Sequence, residues 1–383
     1  MFIRRCFSNL ARRVALHDHH VELGGKMVEF GGFQMPLKYE GFGELKEHNA
    51  VRKTAGVFDV SHMGEFKIYG SDAGEFLQRI LTNNIKRIEV DMAQYNIMCH
   101  ENGGCVDDLL VYRKSEQEYM MVVNAANIEK DWVHVHGARL GVISHGMAAD
   151  LDVHIEDISD EIALLAVQGP NTFNALYEMF GQDFEKLKYY RFAQFGRGSL
   201  TGIKDNIIIS RTGYTGEKNG VEIYCSVNDV VRIWEELMHW GVVPCGLAAR
   251  DMLRLEAGFS LYGHELNDDI SPLEAGLGWA VKMNIGQFIG RNALKDDGLK
   301  RKIVAIKMKD ERAIPRQGYH VECLDTGKKI GEITSGTRSP GLDRGIGLAL
   351  VKNEDRFVQT GSNIGIRIRK KLIVAEVVKL PFL

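Results

Sequence analysis

Two adjacent carboxyl groups, Asp107 and Asp108, stand in the stretch Glu101–Arg113, which reads ENGGCVDDLLVYR. A carboxylate held on a sheet surface can orient a ligand, support developing positive charge or relay a proton. What it does depends on what shares its face. Asn102-Gly103 is a strong hairpin signal, because both residues tolerate the positive φ of a type I′ turn. A two-residue turn there pairs Glu101 with Gly104 and sets Tyr95 opposite Leu110. A second loop over Lys114–Glu118 pairs Arg113 with Tyr119 and sets Asp108 opposite Asn124. Side chains alternate faces along a strand, so Tyr95, Asp108, Leu110, Tyr112 and Asn124 are expected on one surface. A one-residue slip would scatter them, and a solvated face with a turn-capping Asp-Asp pair is the plainer alternative.

The elements that must carry this surface are three strands, Met92–His100, Leu109–Arg113 and Tyr119–Asn124, forming a meander. Around it the sequence predicts helices over Glu44–Thr54, after Ser71-Asp72, over Asn127–Leu140, between Pro170 and Gly181, between Asn228 and Gly241, and over Gly246–Gly258. Ser210–Glu222 (SRTGYTGEKNGVE) is a Gly- and Thr-rich loop running into a strand, either a plain turn or a ligand-holding loop. Arg250 and Arg254 fall at i, i+4 and suit either an anionic partner or the helix's own Asp251 and Glu256. From Lys302 onward six short alternating segments predict a small β-barrel or sandwich of about 80 residues.

Composition narrows the function. The chain has 383 residues, a net charge of −3 and 45% hydrophobic residues. Two or more domains are expected, and nothing in the charge suggests a nucleic-acid or membrane-surface partner. No apolar run approaches the roughly 20 residues of a membrane helix. The six cysteines form no C-x-x-C, consistent with buried thiols in a reducing compartment. His17, His19 and His20 cluster near the start, either as metal ligands or by accident. Met1–Ala15 is Arg-rich and acid-free, which reads as a mitochondrial leader or as an ordinary basic terminus. There is no P-loop, H-E-x-x-H or G-x-S-x-G. Gly276-Leu277-Gly278 begins like a dinucleotide fingerprint, but Val281 stands where its last glycine belongs. No metal, flavin or nicotinamide site is expected.

Several stretches taken together resemble one family. They are His20–Tyr39, Val57–Glu65 (VFDVSHMGE), Glu101–Tyr112, Val122–Asp131 (VVNAANIEKD), Ser210–Glu217, Gly246–Glu256, Gly331–Gly336 (GEITSG) and Lys379–Phe382 (KLPF). In order and spacing the chain resembles the T-protein, or aminomethyltransferase, family of the glycine cleavage system. The resemblance implies an α+β fold, a three-domain cloverleaf with a C-terminal β-barrel and tetrahydrofolate in the central hole. With residues 1–16 set aside as the leader that composition suggests, it implies 17–290 as a folate-binding region whose 61–149 portion is inserted in the rest, and 300–383 as the barrel. It further implies Asp108, the second of the pair, as the catalytic carboxylate, and folate contacts at Tyr95, Leu110, Val122, Asn124, Tyr189, Tyr214, Glu222 and Arg250. The implied partner is lipoylated H-protein and the implied location the mitochondrial matrix. Two departures stand out. The loop before Glu222 carries one extra residue around Lys218-Asn219, and the sequence stops at Leu383, where family members often continue with a site-closing tyrosine.

Three other readings compete. A folate-binding homologue without transferase activity would lack the Asp pair. The folate half of a demethylating oxidoreductase would need an appended flavin domain. A purely structural β-rich protein leaves the one-sided polar meander unexplained.

Overall fold

The computed structural model describes residues 11–198, 203–294 and 298–383. Two sheets lie face to face. One has five strands, in the order Met92–Cys99, Cys105–Arg113, Glu118–Val123, Gly64–Tyr69, His154–Asp157. The other has six and includes Gly56–Asp59, Ile162–Gln168, Ile207–Ser210 and Gly220–Ser226. Gly56–Asp59 pairs directly with Ile162–Gln168. The five-stranded sheet is therefore built from chain that leaves the six-stranded sheet after Asp59 and returns at Ile162, its last strand lying past residue 149.

Period-2 alternation decides which side chains meet between the sheets. Ala93, Tyr112, Met120 and Val122 face Phe58, Ala166, Ile208 and Tyr224 in one buried layer. The outer faces are covered by helices. Ala73–Ile80 and Ile128–Arg139 close the first sheet, and Thr172–Phe180 and Val230–His239 close the second. Gly181 ends its helix in the left-handed conformation, as expected of a C-terminal stop. Ser71 and Asp72 do not cap their helix. Ser71 Oγ donates to Asp152 Oδ2 at 2.9 Å, and Asp72 Oδ2 accepts from the Asp152 amide, which ties the helix start to the sheet edge instead.

The last fifth of the chain is a closed six-stranded barrel, its strands running from Arg301–Met308 to Lys371–Val378. Closure removes every exposed edge. The helix Leu247–Ala257 joins barrel and sheets. Ala249 and Leu253 enter the inter-sheet layer, while Leu255 packs on Ala305, Ile346 and Leu348 of the barrel.

Arg12–Leu16, counted with the leader in the sequence reading, is part of the fold. Arg12 and Arg13 pair with Phe33 and Gln34, and Leu16 is fully buried. The first ten residues lie outside the described residues. His20–Tyr39 begins with the end of a helix, His17–Glu22, before two strands. The histidine cluster is dispersed: His20 is buried between Asp59 (2.8 Å) and Tyr39 (2.9 Å), and His17 meets Asp18. No described helix is long and apolar enough to cross a membrane.

Candidate active site

The meander register is the expected one where it matters. Tyr95 pairs with Leu110, Leu110 with Val122, and Arg113 with Tyr119. The turn itself differs. The His100 amide donates to the Gly104 carbonyl at 2.9 Å, so the loop is three residues, Glu101–Gly103, with Gly103 at φ +88. A bulge follows, since Cys99 pairs with Cys105 but Met98 pairs with Asp107. The longer loop and the one-residue bulge cancel, and the register beyond them is unchanged. The bulge sits where another segment crosses. The Cys105 amide donates to the carbonyls of Asn267 and Ile270, and a Cβ on Gly104 would lie 1.7 Å from the Asp268 carbonyl oxygen.

This arrangement brings Tyr95, Asp108 and Asn124 together. Tyr95 Oη donates to Asp108 Oδ2 at 2.9 Å, and Asn124 Nδ2 donates to Asp108 Oδ1 at 3.0 Å. The same amide nitrogen lies 2.8 Å from Asp107 Oδ1. Asp107 points to the other side of the sheet and is fully buried, whereas Asp108 keeps part of its surface open. Burial, and then the like charge of Asp107, push the Asp108 carboxyl up to about 7. Asp108 is therefore desolvated and yet accessible on part of its surface.

Most of the remaining expected residues come from the same sheet, the facing sheet and the helix Leu247–Ala257. Leu110 and Val122 continue the Tyr95 row as an apolar floor. Glu222 comes from the facing sheet, on the inner side of Gly220–Ser226. Burial raises its carboxyl, and one oxygen accepts from Thr212 Oγ1. Tyr214 comes from the Gly-rich loop. Gln168 holds that loop, donating to the Thr212 and Val221 carbonyls and accepting from Thr215 Oγ1 at 2.8 Å. Arg250 lies over the Tyr214 ring, 4.6 Å from its centroid, a cation–π contact. Burial lowers the Arg250 guanidinium while Tyr214 and Glu222 raise it, and its Nη1 is buried with no hydrogen-bond partner among the described residues.

Two expectations need adjustment. Tyr189 is 54% exposed, its hydroxyl donating to the carbonyls of Glu217 and Lys218 at 3.0 and 3.1 Å. It has no direct contact with the Tyr95–Asp108 cluster. Lys218 takes part in that clamp, and Glu222, opposite Ala166, faces inward. Arg254 does not stand beside Arg250 as a second anion ligand. It is 1% exposed, bonded to Asp251, to Glu265 at 3.1 Å and to Ser335 of the barrel at 2.7 Å. Glu256 turns to His48, Arg52 and Ser339. Burial pushes its carboxyl up, but these hydrogen bonds hold it down at about 2.

Sequence reasoning did not single out Trp279 or Phe259. Trp279 stacks on Tyr95 with ring centroids 5.3 Å apart and is 55% exposed, and Phe259 stacks on Tyr214 at 5.7 Å. Tyr95 and Tyr214 thus each have an aromatic backing. Trp279 directly follows the Gly276–Gly278 stretch, which pattern reads only as a failed fingerprint. Its stacking partner is 184 positions away, so no local signal reveals it. A cavity of about 710 Å³, lined by Lys114, Met120, Ile162, Phe195 and Tyr224 among others, lies elsewhere, and none of the nine expected site residues lines it.

The comparisons agree with this architecture. The GCVT N-terminal domain model matches residues 16–285, and the glycine cleavage T-protein C-terminal barrel domain model matches 301–383. The aminomethyltransferase of Bacillus subtilis is 44% identical over 97% of this chain and 99% of its own length, and that of a Geobacillus species is 44% identical over 97% and 99%. A solved structure of glycine cleavage system aminomethyltransferase T from Bartonella henselae superposes with a TM-score of 0.86 at 31% identity, covering 97% of this chain and 98% of that one. These relatives are bacterial proteins, which overturns the mitochondrial leader and matrix location expected from the basic N-terminus. Matched from Leu16 to Leu383 with only a short gap, and sharing the two-sheet body and closed barrel, the chain belongs to the glycine cleavage T-protein family of aminomethyltransferases.

Proposed function

We propose that tetrahydrofolate binds in the opening between the sheets with its pteridine ring beside Asp108, and that aminomethylated lipoyl H-protein delivers its one-carbon unit at the mouth. The observation that carries this reading is the Tyr95–Asp108–Asn124 cluster, a desolvated but accessible carboxylate in a chain of this family. The donors and acceptors around it suit the ligand. Glu222 has one oxygen committed to Thr212, leaving the other to accept from the amino and N3 hydrogens of a pterin ring. Arg250 has an unpaired buried nitrogen for the folate or its anionic tail. Leu110 and Val122 give the ring an apolar surface.

The reaction moves a methylene group from sulfur and nitrogen to two folate nitrogens. The bonds from carbon to the lipoyl sulfur and to the amino nitrogen break, and bonds to N5 and N10 form. The two folate N–H protons end on the departing ammonia and on the lipoyl sulfur, giving 5,10-methylenetetrahydrofolate and dihydrolipoyl H-protein. Most of the acceleration comes from bringing two bulky carriers to one atom. Asp108 holds the ring in register through its bonds to Tyr95 and Asn124, and it supports the positive charge that develops as an iminium forms and N5 attacks it. With its carboxyl near 7 it is also placed to take up a folate proton and return it.

Two outcomes follow. Turnover should rise with pH through an inflection near 7, because the ionised form of Asp108 is the active one. A rate flat from about pH 6 to about 8 would remove that requirement. Arg250→Ala should raise the KM for tetrahydrofolate by about 10- to 100-fold with a smaller change in kcat, the usual loss for a hydrogen bond to a charged group. An unchanged KM takes Arg250 out of the site. The binding reading itself is tested by titrating tetrahydrofolate against tryptophan emission. Saturable quenching that disappears in Trp279→Phe is expected, and no change in emission while activity persists would place the folate elsewhere.

A further inference from the structure

Three carboxyl groups cluster where the meander meets the helix Ile128–Arg139. Asp108 borders the opening. Asp107 lies behind it, and Asp131 of the helix Ile128–Arg139 lies behind Asp107; both are fully buried. Asp107 is well supplied with donors, accepting from the Asn124 amide at 2.9 Å, from Asn124 Nδ2 at 2.8 Å and from Asn127 Nδ2 at 2.6 Å. Asp131 has none. Neither of its oxygens meets an N–H or O–H donor among the described residues, and its partner is the Asp107 carboxyl.

Two carboxylates in contact cannot both be ionised. An ionised Asp131 would moreover be a fully buried charge with nothing to stabilise it. A neutral Asp131 solves both problems, because its O–H supplies the one donor that the pair lacks. We propose that Asp131 is the neutral donor of a carboxyl–carboxyl hydrogen bond to Asp107, and that this bond keeps Asp107 ionised next to Asp108. Asp131 is then a positioning residue, acting through Asp107 on the group at the opening. The functional consequence rests on the assignment of Asp108 made above.

The surroundings are consistent. Burial first, and Asp107 second, raise the Asp131 carboxyl well above the carboxylate range, against a small opposing effect of Lys130. Tyr262 and Cys105 also face Asp107, and Tyr95 and Tyr214 face Asp108; all four are raised and neutral, so none neutralises the pair. The charge that Asp108 feels from behind is therefore the Asp107 anion.

Two substitutions separate donor from shape. Asp131→Asn keeps an N–H donor toward Asp107, whereas Asp131→Val removes it. In the valine variant Asp107 takes the proton itself, the like charge beside Asp108 vanishes, and the acid limb of the kcat–pH profile should move down by about one pH unit. In the asparagine variant the limb should stay within a few tenths. A limb that does not move in Asp131→Val, or that moves equally in both, overturns the proposal. Should the valine variant fail to fold, infrared difference spectra of the full chain at pH 7 decide. Wild type minus Asp131→Asn should show one protonated-carboxyl C=O band, and loss of carboxylate bands alone overturns it. Normal turnover in Asp108→Asn would instead defeat the Asp108 assignment and leave the infrared result standing.

Discussion

Asp108→Asn is expected to lower kcat by about 10²- to 10⁴-fold, the range set by losing one positioned proton-transfer or charge-supporting group. The amide keeps the shape, can still accept from Tyr95, and leaves the Leu110–Val122 floor and Glu222 untouched. Tetrahydrofolate affinity should therefore change by less than about tenfold. The acid limb of the pH profile should vanish with the carboxyl. The same substitution should not destabilise the protein. A carboxyl raised to about 7 in the folded state, against about 4 unfolded, favours folding most below about pH 4 and loses that advantage as pH rises through about 7. Asparagine does not titrate, so at about pH 8 the variant should melt at or above the wild-type temperature. A large drop in activity with an unchanged or higher melting temperature is the signature of a functional rather than a structural carboxylate. Near-normal turnover would end the assignment.

The second large effect lies at the joint between sheets and barrel. Arg254→Ala is expected to destabilise the protein by about 3–5 kcal/mol, the usual result of removing one partner of a buried ion pair. Glu265, fully buried, would lose its cation and keep only the Leu261 amide, 3.0 Å away. Ser335 would lose its bond to the helix while keeping that to His264, and the Phe259 carbonyl would lose a donor. Urea unfolding should show a lower midpoint at an unchanged slope. A shift worth less than about 1 kcal/mol would mean that apolar packing of Leu255 on the barrel, not the ion pair, holds the joint. Arg250 sits one helical turn earlier, so a loosened helix should also weaken folate binding.

These two arginines show where sequence reading stops. Their spacing put both on one face of the helix, where Arg254 is buried and Arg250 half-buried. What engages Arg254 is Glu265 and Ser335, the latter 81 positions away in the barrel. Neither is visible from helix periodicity. The meander was legible for the opposite reason. Its register follows from local turn chemistry and the two-residue period of strands, so the Tyr95–Leu110 and Arg113–Tyr119 pairs could be read directly. Only the tip was misread, because the bulge at Cys105 answers to Asn267, Asp268 and Ile270, far along the chain. The barrel was legible as six short alternating segments, and its closure was not, since closure is a property of strand pairing. The basic N-terminus misled because composition alone cannot distinguish a leader from Arg12 and Arg13 taking their place in a sheet.

The residues behind the site were hidden in the same way. Asp131 and Thr212 stand inside stretches that marked the family, yet nothing local separates them from their neighbours. Their roles emerge only once Asp107 and Glu222 face them.

The central claim is that this opening transfers the aminomethyl carbon to folate. The most direct test is ammonia release from aminomethylated lipoyl H-protein by the purified chain, with and without tetrahydrofolate, in wild type and in Asp108→Asn. Release that requires tetrahydrofolate, and that falls at least a hundredfold in the variant, is the predicted result. Equal release without folate, or equal rates in both proteins, would contradict it.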